Sequence, residues 1–240
     1  MFLENTVTDA VDPQTLGRFW EAALGCATLT DEHAGFETRL TVDDFDLDLC
    51  FQRVPDRALG PQRLHFDVRG GAEQAEVVER MLGLGATHLD IGQGDVPWVV
   101  LADPAGNAFC VLEDRPEYAA TGPLAALVLQ VADPARERDF WGWLSGWEPV
   151  EDARLASLRH PSGRGPLLEL VPEPEPKGPG KNRIHLDIRL EPGDEVDELS
   201  REITERGGRE MHFGWGELPY RHFVDPSGNE FCLLPAPAAA

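Results

Sequence analysis

Two ten-residue phrases, Asp103-Pro-Ala-Gly-Asn-Ala-Phe-Cys-Val-Leu112 and Asp225-Pro-Ser-Gly-Asn-Glu-Phe-Cys-Leu-Leu234, agree at seven positions. Each follows a second shared phrase, Arg63-Leu-His-Phe-Asp-Val-Arg69 in one half and Arg183-Ile-His-Leu-Asp-Ile-Arg189 in the other. The offset is 120 residues for the histidines, 122 for the Asp-Pro pairs, and 121 for a third pair, Phe19-Trp20 and Phe140-Trp141. Three phrases that keep order and spacing mark a duplication, so the 240 residues divide into two like units. Each unit is long enough to bury a core of its own.

Within a half, the pattern alternates between strands and helices. Asp12-Pro13 reads as an N-cap followed by proline at the first helical position, where its missing N–H costs nothing. Leu16, Phe19, Trp20, Ala23 and Leu24 then share one helical face, and Gly25 ends the helix. Trp20 is expected to pack between this helix and a sheet; stacking on a ligand is the other reading. From Phe45 the period becomes two, with Phe45, Leu47, Leu49 and Phe51 on one face. Leu64, Phe66 and Val68 likewise oppose His65, Asp67 and Arg69. Strands with one apolar and one polar face belong to a sheet covered by helices on one side, the other side meeting solvent or lining a cleft. A second helix is expected over 72–84, with Ala75, Val78 and Leu82 inward. The Asp-Pro-x-Gly-Asn phrase is first of all a turn signal, since proline and glycine suit its central positions. Residues 114–123 carry two prolines and a glycine without periodicity and are read as the linker. The second half repeats the scheme: a strand at 124–131, a helix after Asp133-Pro134, a strand at 167–171, the histidine strand, and a helix carrying Val196, Leu199 and Ile203.

Composition narrows the function classes. The hydrophobic fraction of 42% is ordinary for a globular chain, whereas a net charge of −22 is not. Such a chain repels nucleic-acid phosphates and anionic lipid surfaces. Neither a secretory signal nor a membrane-spanning run is read, so a cytoplasmic setting with Cys26, Cys50, Cys110 and Cys232 as free thiols is expected.

Arg-x-His-x-Asp-x-Arg followed by Asp-Pro-x-Gly-Asn-x-Phe-Cys, twice, resembles the vicinal-oxygen-chelate superfamily, the glyoxalase/bleomycin-resistance/dioxygenase group, in its tandem glyoxalase-like form. The resemblance implies an α+β fold: two domains, at 1–115 and 122–236, each of paired βαβββ modules forming a curved mixed sheet around a cleft, with helices on the outer face. In metal-using members a divalent ion is held from matching strands of paired modules. Carried over, those positions fall on Asn5, Gln52, His65 and Cys110 in the first half, and on Ala126, Glu169, His185 and Cys232 in the second. A carboxylate suits hard cations and a thiolate soft ones. The first set has no carboxylate, and the second offers Glu169, His185 and Cys232 as three donors with an open position, an arrangement known for catalytic zinc.

The remaining candidates are ligand-binding residues. His222 precedes the second repeated turn, where the first half has Val100. Asp67 and Asp187 either orient the histidines or pair with Arg69 and Arg189. Trp98 and Trp215 fall at cleft edges and either stack on a planar ligand or cap the core. Three readings follow. In the preferred one, a cleft binds a small organic molecule without a complete metal site, for sequestration or resistance. In the alternative, one divalent metal in the second half serves a lyase, isomerase or dioxygenase through Glu169 and His185, Glu169 acting as ligand or general base. In the third, one half survives as a degenerate copy that covers the other, giving a monomer with an internal pseudo-dimer.

Overall fold

The computed structural model describes residues 1–55, 62–151, 153–173, 175–212 and 218–237. The chain runs through four βαβββ modules. The first comprises β1 (Phe2–Ala10), α1 (Pro13–Leu24), β2 (Ala27–Glu32), β3 (Gly35–Val42) and β4 (Phe45–Arg53). The second comprises β5 (Leu64–Gly71), α2 (Gln74–Leu84), β6 (Thr87–His88), β7 (Val99–Ala102) and β8 (Ala108–Glu113). The third comprises β9 (Leu124–Val131), α3 (Pro134–Ser145), β10 (Glu148–Pro149), β11 (Ala156–Arg159) and β12 (Leu167–Pro172). The fourth comprises β13 (Ile184–Arg189), α4 (Val196–Glu205), β14 (Arg209–Met211), β15 (Arg221–Val224) and β16 (Glu230–Leu234).

The α+β class and the module pattern are those expected. The partnership between modules is different. One eight-stranded sheet has the order β14-β15-β16-β13-β1-β4-β3-β2, and the other β10-β11-β12-β9-β5-β8-β7-β6. Each sheet therefore joins one module of the first repeat to one of the second, through the antiparallel pairs β1–β13 and β5–β9. The chain changes sheets within each repeat, between β4 and β5 and again between β12 and β13. Between β8 and β9, where composition places the boundary, it stays in one sheet.

The helices lie between the two sheets, on the faces that carry the apolar sets. α1 starts at Asp12, whose carboxylate accepts from Thr15 N, and ends at Gly25 with φ 71°, a left-handed conformation that glycine adopts without strain. It packs on β1, β3 and β4 of the first sheet, while its Trp20 meets Phe66 and Phe109 of the second edge-to-face at 5.0 and 5.1 Å. α3 packs on β11 and β12 and places Trp141 against Phe231 of the first sheet at 5.4 Å. One core thus serves both sheets, and Trp20 is a core residue. In α2, which begins two residues later than expected, the inward residues are Val78 and Met81, three apart on one face; Ala75 is exposed and Leu82 half-buried.

The repeated turn has a structural reason. Asp103 Oδ1 accepts from Ala105 N and Asn107 N, both at 2.9 Å, and Oδ2 accepts from Trp20 Nε1 at 3.2 Å. Asp225 does the same with Ser227 N, Asn229 N and Trp141 Nε1. The aspartate ties the turn to the helix, so two of the three phrases that mark the duplication, the Asp-Pro turn and the Phe-Trp pair, are one hydrogen-bonded unit. Among the described residues no helix is long and apolar enough to cross a membrane.

Candidate functional site

The polar faces of the two sheets form two clefts, each built from both repeats. In the first sheet β1 is the meeting strand: Asn5 pairs with Asp187 and Val7 with His185 on β13, and Val7 pairs with Cys50 on β4. In the second, Ala126 pairs with Asp67 and Val128 with His65 on β5, and Val128 pairs with Glu169 on β12. Period-two alternation puts each of these side chains on the cleft face.

This register corrects one correspondence. Val54 N bonds Ala10 O, and Glu173 N bonds Val131 O, so Glu169 has Cys50 as its counterpart. Gln52 corresponds to Val171, since the Val54-Pro55 and Val171-Pro172 dipeptides stand two residues out of step along their strands.

The register also separates residues that sequence spacing grouped. Glu169 is on β12 of the second sheet, whereas His185 and Cys232 are on β13 and β16 of the first. Glu169, His185 and Cys232 therefore do not share a site, and no ion or general base links Glu169 to His185. Glu169 faces His65, Asp67 and Cys110, and His185 faces Asp187, Cys232 and His222.

The two clefts differ in what fills them. In the second sheet, the segment after β8 folds into a 3-10 turn, Pro116–Tyr118, and Tyr118 enters the cleft. Its ring is 2% exposed, among Val100, Cys110, Ala126 and Leu167, and its hydroxyl donates to Glu169 Oε1 at 2.8 Å. Burial pushes Glu169 up to about 7 against the opposing pull of that hydrogen bond. The Arg115 guanidinium lies over both Trp98 and Tyr118, at 5.7 and 5.9 Å, and pairs with Glu113 at 2.6 Å. Trp98 is thus a capping residue stacked on arginine. His65 Nε2 stands 3.4 Å from Asp67 Oδ1 at the cleft's half-exposed side.

In the first sheet no equivalent side chain intervenes among the described residues, and the corresponding face lines open cavities. Two adjoining cavities of about 280 and 150 Å³ share Val7, Gln52 and Asp187. The smaller reaches Lys181, Tyr220, His222 and Cys232; the larger reaches Asn5, Glu37 and Cys50. His185 Nε2 lies 3.4 Å from Asp187 Oδ1 and 3.6 Å from Cys232 Sγ. Burial pushes His185 down to about 3 and Asp187 up to about 7, and raises the Cys232 thiol. All three effects favour neutral forms, as desolvation requires. Among the described residues, three buried polar atoms here have no hydrogen-bond partner: Asn5 Oδ1, His185 Nδ1 and Asp187 Oδ1. Arg189 bonds Glu4 in both directions of its fork and so is not the partner of Asp187. Trp215 lies outside the described residues.

The positions that would hold a divalent ion can now be read from register. In the first sheet they are Asn5, Cys50, His185 and Cys232, without a carboxylate, and the Cys50 thiol is turned toward Glu37 Oε1 at 3.2 Å. In the second they are Ala126, Glu169, His65 and Cys110, with Glu169 engaged by Tyr118. Neither set fits a hard cation, which needs charged oxygens. The donors that do converge, within 4.8 Å, are His185, Asp187 and Cys232, and equally His65, Asp67 and Cys110.

Tyr118 and Glu37 escape a reading of spacing alone. Tyr118 is a single aromatic in a polar, proline-containing stretch; Glu37 lies on β3, where Phe36, Thr38 and Leu40 alternate inward with Glu37 and Arg39 outward. That alternation was the available signal.

A family model described as a glyoxalase-like domain matches residues 5–112 and 126–234. Among solved structures, glyoxalase I of Zea mays is similar with a TM-score of 0.65 and 19% identity, over 98% of this chain and 92% of that one. A proposed dioxygenase from Bacillus subtilis is similar with a TM-score of 0.59 and 16% identity, over 100% and 86%. At these identities the likeness is one of fold. A search of curated proteins finds no match.

Proposed function

Since the chain belongs to the glyoxalase-like domain family, with two copies of its domain, we propose that it binds a small organic molecule in the cleft of the first sheet, with no divalent ion at the family's positions. One observation carries this reading: among the described residues the first cleft is open and presents buried polar atoms without partners, whereas in its equivalent, where Asp67 Oδ1 is likewise unpartnered, the space is filled by Tyr118. An unpaired buried polar atom costs on the order of 1–3 kcal/mol, which a bound molecule supplying the missing hydrogen bond relieves. The reaction-type alternative, a metal-dependent lyase, isomerase or dioxygenase using Glu169 with His185, has lost its geometry, because the two side chains serve different clefts. The third reading gains in a modified form. What has become structural is one of two shared clefts, and each repeat still contributes to the other. Sequestration or resistance is the use that fits a binding cleft without a resident ion.

Gln52 lines both cavities from an exposed position, so Gln52→Trp obstructs the cleft without touching the core. Ligand-observed NMR with benzyl alcohol, benzylamine and benzoate is expected to give saturable binding of at least one probe at one site per chain. Affinity should drop about tenfold or more in Gln52→Trp while the melting temperature holds. Binding of equal strength in that variant, or no saturable binding by any probe, defeats the proposal.

A further inference from the structure

The charges around the first cleft do not cancel, and the imbalance is local. Among the described residues the strong cations nearest the two cavities are already paired: Arg39 bonds Asp48 through two nitrogens at 2.6 and 2.8 Å, Lys181 bonds both oxygens of Asp9 at 2.8 and 2.7 Å, Lys177 bonds Glu230, and Arg189 grips Glu4. Left over are the Glu32 and Glu37 carboxylates, which line the larger cavity beside Asp187 and have no lysine or arginine partner among the described residues. Glu37 receives only a thiol, from Cys50, and a long contact from Thr30.

A surplus of carboxylates is ordinarily a solvated surface, and in a chain of net charge −22 it carries no weight alone. Here a second observation stands beside it. Asn5 and Asp187 are each 5% exposed, are direct partners across the β1–β13 ladder, and line the same cavity. The oxygen of each, Asn5 Oδ1 and Asp187 Oδ1, is buried and has no hydrogen-bond donor among the described residues. Side chains opposite one another in an antiparallel pair stand about 5 Å apart. One group carrying several N–H bonds, placed between them, would satisfy both oxygens. An acceptor-only group such as a carboxylate would satisfy neither and would face Glu37 and Glu32 as well.

We propose that the molecule bound in the first cleft is an organic cation, an amine, amidine or guanidine on a small apolar body, whose N–H groups are taken by Asn5 and Asp187 and whose charge is balanced by Glu37. This rests on the binding function proposed above and adds the class of ligand. Val7 and Ala34 on the same wall offer apolar surface to the body of such a molecule.

The test is calorimetric titration of the full chain with benzamidine, benzyl alcohol and benzoate, which share a ring and differ in charge. Benzamidine is expected to bind one to one and at least tenfold tighter than benzyl alcohol, with benzoate weakest. Glu37→Gln and Asp187→Asn should each weaken benzamidine about tenfold, and by more than they weaken benzyl alcohol. Glu37 is half-buried on the cleft wall, so its variant keeps the test sound should Asp187→Asn disturb folding. Equal affinities, or benzoate tightest, would refute the cationic class while leaving the binding cleft intact; silence from all three probes would remove both. A separate titration with zinc chloride guards against an inorganic cation. Tight zinc binding that is lost in His185→Ala, and that benzamidine cannot displace, assigns the site to a metal and overturns the proposal.

Discussion

Leucine in place of Glu137 raises the unfolding free energy, and does so more strongly as the pH rises. Glu137 is fully buried in the first turn of α3, with one oxygen bonded by Ser227 and the other, Oε2, without a partner. Burial first, and the neighbouring Asp225 second, push it from its ordinary 4.5 to about 8. A carboxyl with a raised folded pKa imposes no penalty below the unfolded value, where both states are protonated. Between about 4.5 and about 8 the unfolded chain ionises freely while the folded one resists, so stability falls across that window and levels off above it. At roughly 1.4 kcal/mol per unit, the loss is on the order of 3–5 kcal/mol. The first repeat contains the remedy. Leu16 stands at the corresponding position, 1% exposed, with Ala105 where the second repeat has Ser227. Urea unfolding of Glu137→Leu should therefore show little change near pH 5 and a gain of several kcal/mol near pH 9, on the order of the shift above. Glu137→Gln, which keeps the Ser227 bond, should show a smaller gain of the same pH dependence. A gain that does not vary with pH, or a loss at alkaline pH, would show that burial of this carboxylate is not what limits stability.

Tyr118→Ala carries the second large effect. The ring fills the second cleft, and truncating a buried aromatic costs about 3–5 kcal/mol. Removing the hydroxyl alone, as in Tyr118→Phe, leaves Glu169 buried without its donor and costs about 1–3 kcal/mol. The two variants separate packing from hydrogen bonding. Cys110 supplies a reporter, since it is 8% exposed beneath Tyr118 and its thiol should react with a maleimide far faster in Tyr118→Ala. Glu169 adds a pH signature. Its raised pKa, about 7, means that its contribution is intact below about 4.5 and is lost as the pH rises through 7, so Tyr118→Phe should be most damaging on the alkaline side. Unchanged Cys110 reactivity in Tyr118→Ala would mean that the linker does not seal this cleft.

Much of the architecture was legible in the residues. The capping of α1 by Asp12, Pro13 and Gly25 follows from local chemistry, and the alternation at Leu64-His-Phe-Asp-Val68 states which face of β5 is buried. Pairing between modules was not legible, for a physical reason. A period-two pattern specifies a face but not an edge, and β1 pairing with β5 would bury the same residues as β1 pairing with β13. The candidate site inherited that ambiguity. His185, Cys232 and Asp187 were correctly recognised as facing one way, but Glu169 was assigned to their cleft because it lies in the same repeat. The Val-Pro dipeptides misled in a smaller way, shifting Gln52 two residues from Cys50 without changing its face. Tyr118 was hidden because linker composition reports the absence of periodicity and is silent on whether a single ring docks.

The antiparallel seam between β1 and β13 joins residues some 180 positions apart, Val7 with His185. That distance has a consequence in time. A ribosome delivers β13 some 180 residues after β1, so the first module waits through that interval with one strand edge open. β1 carries buried Leu3, Val7 and Ala10 along that edge, which in the interval is a template for the wrong neighbour, including another nascent copy of the same chain. Arrested chains ending before residue 184 should accordingly be cleaved rapidly within residues 1–53 by a protease pulse, and protection should arrive only when β13 has emerged.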